Sequence, residues 1–307
     1  MTASESMSPP LIRVLQQFTL SSKDGGWIVK RLDEGGQGHV FAIRSHDGQP
    51  VWRNHGSLVI KLYKPAATPS VELARAQFEA LSWVYTTLNG RDINGWKIST
   101  PLPLYVCKSP DALVMTPVPG VKLTSLLELD NKLSAEVLKS ISRAVVAAMH
   151  TCWATGKLHG DLHPDNILSD VAARNLSFVD LGMPASFSVR DHATERWYPA
   201  SNDLAYLLYA TEVRFKRDIG HPSARARKQA FAENVLRAFV ETIGPAEEKQ
   251  LALDEIQAFT RLHLKGLDAS LSPRGLWKAL VRRVASRRID AMLGTLKAAL
   301  GHLDMAA

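Results

Sequence analysis

Hydrophobic positions along this chain follow two periods, and the change falls near residue 118. Before it the apolar runs are short and β-prone. Trp27–Leu32 and Val40–Ile43 read as strands joined by a glycine-rich turn, and residues 56–63 (GSLVIKLY) supply a third over Ser57–Tyr63. Asp47-Gly48 is a hairpin signal between the second and third strands. Val71–Leu88 has helical period, with Leu73, Ala76, Phe78, Leu81 and Val84-Tyr85 on one side. Leu102–Cys107 and Ala112–Val118 read as two more strands around the turn Ser109-Pro110-Asp111. The predicted order is three strands, a helix and two strands, a compact antiparallel sheet carrying one helix. A disordered tail over residues 1–10 and a short helix over Leu11–Phe18 precede it.

After Pro119-Gly120 the period becomes helical. Ser134–Thr155 predicts a long helix with Ser134 as N-cap and Glu136 in its first turn. Two β-prone segments, Ile167-Leu168 and Leu176–Val179, interrupt the pattern. From Asp203 onward residues 203–216, 224–243, 246–264 and 273–300 all read as helix. The expected fold class is α+β, with a tail and short helix over 1–20, a mostly β lobe over 21–118 and a mostly α lobe over 119–307. The linker is expected near 116–121.

Composition narrows the setting more than the chemistry. The chain has 307 residues and is 46% hydrophobic, enough for a real core and too apolar for wholesale disorder. A net charge of +7 suits acidic partners without choosing among them. No compact basic-aromatic motif appears, so nucleic acid is not an expected partner. The basic run Arg282–Arg288 reads as a solvated helix face. Cys107 and Cys152 lack metal-ligand spacing and read as buried thiols in a reducing compartment. No signal-peptide core and no long apolar run occur, so a cytoplasmic protein without a membrane span is expected.

Candidate chemistry sits in a few places. Glu34–Phe41 reads EGGQGHVF, and Gly35, Gly36 and Gly38 would let backbone N–H groups approach phosphates. Alone the run reads as a hairpin turn; its place in a longer order gives it weight. Lys61 lies inside the apolar strand Val59–Leu62. Most strand lysines are solvated, but one turned toward a nucleotide would pair with phosphate and need a carboxylate to hold it. Glu72 and Glu79 are the choices. Glu79, flanked by Phe78 and Leu81, is preferred, and Glu72 is left to the helix dipole.

The richest stretch is His159–Leu168, HGDLHPDNIL, followed by Val179-Asp180-Leu181-Gly182. Asp161 is placed to accept a hydroxyl proton as general base. Asn166 offers an amide oxygen and Asp180 a carboxylate, donors that suit Mg²⁺. Asp165 reads as a solvated turn residue, and His159 as a brace for the loop.

Taken in order, EGGQGHVF, VIK, the helix with Glu79, LVMTPVPG, HGDLHPDNIL and VDLG resemble the protein-kinase-like superfamily over residues 27 to about 210. The resemblance implies a bilobal fold with ATP between the lobes. It implies that Gly35, Gly36, Gly38 and Val40 lie around ATP and that Lys61, paired with Glu79, holds its phosphates. Asp161 would be the base, and Asn166 and Asp180 would hold Mg²⁺, or Mn²⁺ in its place. Met115 would line the adenine pocket, Thr116–Val118 would be the hinge that bonds adenine, and Asp203 the buried anchor of the catalytic loop.

The activity implied is phosphotransfer from ATP to a hydroxyl, with a Ser/Thr protein acceptor favoured. The alternatives are a small-molecule or glycolipid kinase, and a nucleotide-binding pseudokinase acting as a regulatory module. Departures from the family pattern bear on that choice. Asp33 replaces the first glycine of the loop, VDLG replaces DFG, and no A-P-E motif follows, Trp197–Ala200 being its remnant. Gly160 stands where regulated kinases carry Arg, and His163 where Ser/Thr kinases carry Lys. In these letters HGDLHPDN is similar to aminoglycoside-type and atypical kinases, whereas EGGQGHVF is similar to bacterial Ser/Thr kinases.

Overall fold

The computed structural model describes residues 8–18, 27–34, 38–45, 50–64, 70–129, 133–180, 196–213, 222–265 and 273–304. Gly35, Gly36, the Asp47-Gly48 hairpin, Leu181-Gly182 and the rest of the segment up to residue 195 lie outside them. The chain divides into two compact units, one of residues 1–86 and 100–118, the other of residues 87–99 and 119–307.

In the first unit an antiparallel sheet forms from β1 (Trp27–Glu34), β2 (Gly38–Ser45), β3 (Ser57–Tyr63), β6 (Pro103–Lys108) and β7 (Asp111–Met115), in the order β1-β2-β3-β7-β6. One face carries Ile43, Leu58, Ile60, Leu62 and Val114, all buried. Helix α1 (Pro9–Phe18) closes this face with Leu11, Val14 and Leu15, the spacing of one helical stripe. Burial of each such side chain is worth roughly 1.5–3 kcal/mol, so the helix is part of the core of this unit. It starts at Pro9, inside the stretch expected as tail; proline suits a first helical turn, where its missing N–H has no partner to lose.

Helix α2 (Ser70–Leu88) follows β3. Its buried stripe is Ala74, Gln77, Leu81, Val84 and Leu88, a regular three-four spacing. Leu81 and Val84 of the expected stripe belong to it, whereas Ala76 is exposed and Phe78 half-buried, and that displacement has a consequence at the site.

In the second unit a small sheet runs in the order β4-β5-β10-β9-β8. The hairpin of β4 (Asp92–Ile93) and β5 (Trp96–Ser99) was not expected from the periodicity. Its signal was in the letters: Asn94-Gly95 is a two-residue hairpin turn, with φ of 54° and 75°. β5 pairs in parallel with β10 (Asn175–Phe178), which pairs with β9 (Ile167–Asp170). The two-residue β8 (Val121–Lys122) joins β9 after Gly120, whose φ is +107° and where a Cβ would lie 2.9 Å from Ser169 backbone atoms.

The rest is helical: α3 (Leu123–Leu129), α4 (Ala135–Trp153), α5 (Ala200–Val213), α6 (Pro222–Glu241), α7 (Ala246–Lys265) and α8 (Pro273–Asp304). Ser134 caps α4 as expected, accepting from the Val137 N–H at 3.2 Å. Lys228 of α6 is 2% exposed and pairs with Glu128 of α3 at 2.8 Å, while Arg227 donates to the Leu127 and Glu128 carbonyls at that helix's C-terminus. On α8, Arg283 and Arg287 are exposed and Arg288 pairs with Glu212. Among the described residues no helix is long and apolar enough to cross a membrane. The architecture is α+β, a helix-backed antiparallel sheet in one unit and a mostly helical second unit.

Candidate active site

Each unit gathers part of the residue set marked by the sequence. In the first, strand register brings Lys61 and its neighbours to one face. Lys61 pairs with Val40 on β2 and with Leu113 on β7, and Val59 pairs with Met115. Directly opposed residues of antiparallel strands share a face, and so do alternate residues of one strand. Val40, Lys61 and Met115 therefore lie on the face opposite α1. Lys61 is 4% exposed, with its Nζ 5.5 Å from the centre of the Tyr63 ring, and Tyr63 donates its hydroxyl hydrogen to Gln77 of α2.

Glu79 does not take the position expected of it. It is exposed, and among the described residues no ion pair joins it to Lys61. The reason is helix phase: Gln77 occupies the inward stripe, and two residues along a helix is a rotation of about 200°. The Glu72 side chain lies outside the described residues.

Gly38 is buried and pairs with Tyr63; a Cβ there would collide with the Leu62 carbonyl, so close strand approach requires glycine. At the end of β7 the Thr116 N–H donates to the Leu102 carbonyl at 3.0 Å, and the Thr116 hydroxyl accepts from the Leu102 N–H at 2.9 Å. Pro117 has no N–H. Val118 is thus the expected hinge residue with an N–H to offer a ligand. Met115 is buried beside this turn.

In the second unit the loop before β9 hangs on Asp203, which lies in the first turn of α5 and is fully buried. Its Oδ2 accepts from Trp153 Nε1 at 2.8 Å and from the His159 N–H at 2.7 Å, and its Oδ1 accepts from the Gly160 N–H at 2.9 Å. Burial pushes the Asp203 carboxyl up to about 6, and the three donated hydrogen bonds oppose that shift. Gly160 has φ +80°, a conformation costly for any side chain. The local backbone thus accounts for a glycine where regulated kinases carry arginine.

Beyond Gly160 the loop presents its polar groups. His159 is buried, its Nδ1 3.4 Å from the Asp161 N–H. Burial lowers its pKa to about 4, against the opposing pull of Asp161 and Asp180. Pro164 imposes an extended backbone on His163, which caps the short 3₁₀ turn Pro164–Asn166. Asn166 Nδ2 donates to the Asp161 carbonyl at 2.9 Å and to Asp161 Oδ2 at 3.1 Å. The Val179 N–H donates to the Asn166 carbonyl at 3.0 Å, which ties the chain entering Asp180 to the loop. Asp180 itself has φ +57°. Asn166 is thereby hydrogen-bonded to Asp161 on one side and to Val179, the residue before Asp180, on the other. Cys107 and Cys152 are buried thiols, each pushed up to about 12 by burial.

A family profile described as ABC1 atypical kinase-like domain matches residues 101–202, about a third of the chain, from just before β6 through the Asp161 loop to the start of α5. Over that stretch the chain is similar to atypical protein-kinase-like domains. Its similarity to a probable serine/threonine-protein kinase, PkwA of Thermomonospora curvata, is 24% identity over 156 residues, covering 51% of this chain. The chain spans about a fifth of the length of that relative, 19%. Two crystal structures of mutant forms of the Mycobacterium tuberculosis PknI kinase domain align at TM-scores of 0.44 and 0.43, each with 18% identity. They cover 68% and 78% of this chain, and 96% of the kinase domain in both cases.

The residues sequence reasoning missed are Gln77, Tyr63, Tyr206 and the pair Lys228–Glu128. Gln77 could have been found from the three-four spacing Ala74, Gln77, Leu81, Val84. Nothing in the letters marks the others.

Proposed function

We propose that this chain is an ATP- and Mg²⁺-dependent phosphotransferase that moves the γ-phosphoryl group of ATP to a hydroxyl. The observation that carries the reading is the Asp203-anchored loop, in which Asp161 and Asn166 are locked to each other by a 3.1 Å hydrogen bond. Such preorganisation is what general-base catalysis requires.

Asp161 accepts the acceptor hydroxyl's proton as its oxygen bonds to phosphorus, and the bond from the γ-phosphorus to the ADP oxygen breaks. Lys61 offers its ammonium to the phosphate oxygens, and Val118 its N–H to the adenine. The donor set fits a hard divalent cation. The Asn166 amide nitrogen is committed to Asp161, so its oxygen is the atom offered to a metal, and Asp180 adds a carboxylate. Mg²⁺ held there, or Mn²⁺ in its place, would offset the phosphate charge.

A Ser/Thr protein acceptor is favoured, in line with the serine/threonine-kinase relative. A small-molecule alcohol is the second reading, supported by the loop letters Gly160 and His163 and by the ABC1 similarity. Incubation of the protein with γ-labelled ATP, Mg²⁺ and a cell extract, followed by mass spectrometry, separates them. Label on Ser or Thr of proteins is expected; label on metabolites alone would reject the protein-kinase version, and no transfer at all would reject both.

A further inference from the structure

His163 does more than cap a turn. Its Nδ1 lies 3.2 Å from the Asp165 N–H and accepts from it, while the Asp165 carboxylate is 3.8 Å from the same nitrogen, too long for a hydrogen bond. A ring nitrogen that accepts carries no hydrogen, so the hydrogen of the ring sits on Nε2. Nε2 is 3.4 Å from Asp161 Oδ2, the same oxygen that accepts from Asn166. The ring is 5% exposed and packs edge-on against Tyr206 of α5 at 6.1 Å; Tyr206 in turn packs against the buried ring of His263 on α7 at 5.2 Å. Side chains of α5 and, through Tyr206, of α7 therefore pack against this imidazole.

We propose that His163 is a positioning residue for the base: its Nε2–H steadies Asp161 Oδ2, the oxygen that also accepts from Asn166, and Tyr206 keeps the ring in the orientation that does so. A lysine, which carries only donors, could not also accept from the Asp165 N–H. The histidine caps the turn with one nitrogen and addresses the carboxylate with the other. This inference rests on the phosphotransferase reading, in which Asp161 is the base.

Two isosteric substitutions separate the two nitrogens. His163→Asn keeps an acceptor near the Nδ1 position and loses the Nε2 donor; His163→Gln keeps a donor near the Nε2 position and loses the cap. Steady-state phosphotransfer on the full chain is expected to show kcat about 10- to 100-fold lower in His163→Asn with KM for ATP unchanged, and nearer wild type in His163→Gln. The reverse order, His163→Asn active and His163→Gln impaired, would mean the histidine is only a cap and would overturn the proposal. A second measurement is independent of activity: long-range ¹H–¹⁵N NMR of the wild type should show His163 with hydrogen on Nε2 and none on Nδ1, and hydrogen on Nδ1 would overturn the contact. If the wild type transfers no phosphate, the phosphotransferase reading falls and the tautomer alone decides the contact.

Discussion

Removal of the Asp203 carboxylate should loosen the loop that carries Asp161. In Asp203→Ala three buried donors, Trp153 Nε1 and the N–H groups of His159 and Gly160, lose an acceptor now 2.7 to 2.9 Å away. Each orphaned buried donor costs about 1–3 kcal/mol, so the three together cost about 3–9 kcal/mol. Against this, the substitution relieves the burial of a carboxylate whose acidity burial has already weakened to about 6. The net expectation is at the lower end, about 3 kcal/mol, or about 6–12 °C in Tm for a cooperative unit of roughly 200 residues. Thermal denaturation measures the total, and amide hydrogen exchange locates it. The His159 and Gly160 amides should exchange much faster in the variant while those of β5 stay protected. A variant that melts within a degree of wild type with unchanged exchange at these two amides would refute the anchoring argument.

Three further perturbations test other parts of the account. Lys228→Ala leaves Glu128 poorly solvated and unpaired, and urea denaturation should show a loss of about 3–5 kcal/mol, most of it recovered in a Lys228→Met, Glu128→Leu double variant; a loss below about 1 kcal/mol would make the pair incidental. Burial lowers the His263 pKa from 6.5 to about 4. The unfolded chain therefore takes up a proton below about 6.5 that the folded chain refuses until about 4, so stability falls as pH drops through that window. His263→Phe should reduce this slope by up to about 1.4 kcal/mol per pH unit, and an unaltered slope would show that His263 is not the group responsible. Val118→Pro removes the hinge N–H assigned to adenine and should raise KM for ATP about 3- to 10-fold with little change in Tm; an unchanged KM would move the adenine contact elsewhere.

The sheet of the first unit was readable because its strands are strongly β-prone and bounded by turns, and β3 has the expected ends, Ser57 and Tyr63. The loop residues of the second unit were readable because chemistry needs particular letters at fixed spacing; Asp203 was placed as the anchor and makes the three bonds that role demands. Helix phase was less accessible. Leu81 and Val84 are buried as expected. Leu73 and Phe78 are large enough to suggest an inward position, yet packing chose Ala74 and Gln77, because a polar Gln with a buried tyrosine partner can outrank a hydrophobic neighbour. Glu79 accordingly lies off the buried stripe and is exposed. The β4–β5 hairpin escaped because strands of two and four residues have too little periodicity to detect, even though Asn94-Gly95 announces the turn. The edge-on ring cluster of His163, Tyr206 and His263 is a product of tertiary packing, joining residues 100 positions apart that no local pattern relates.

The central claim is that Asp161 is the base of an ATP-dependent phosphotransferase. It is tested most directly by single-turnover transfer from γ-labelled ATP in the presence of Mg²⁺, comparing wild type with Asp161→Asn under conditions where both are shown to be folded by their melting curves. Loss of the base predicts a fall of about 10²- to 10⁴-fold in the transfer rate. Transfer at an equal rate by the two proteins, or no transfer by wild type with any hydroxyl acceptor in the extract, would contradict it.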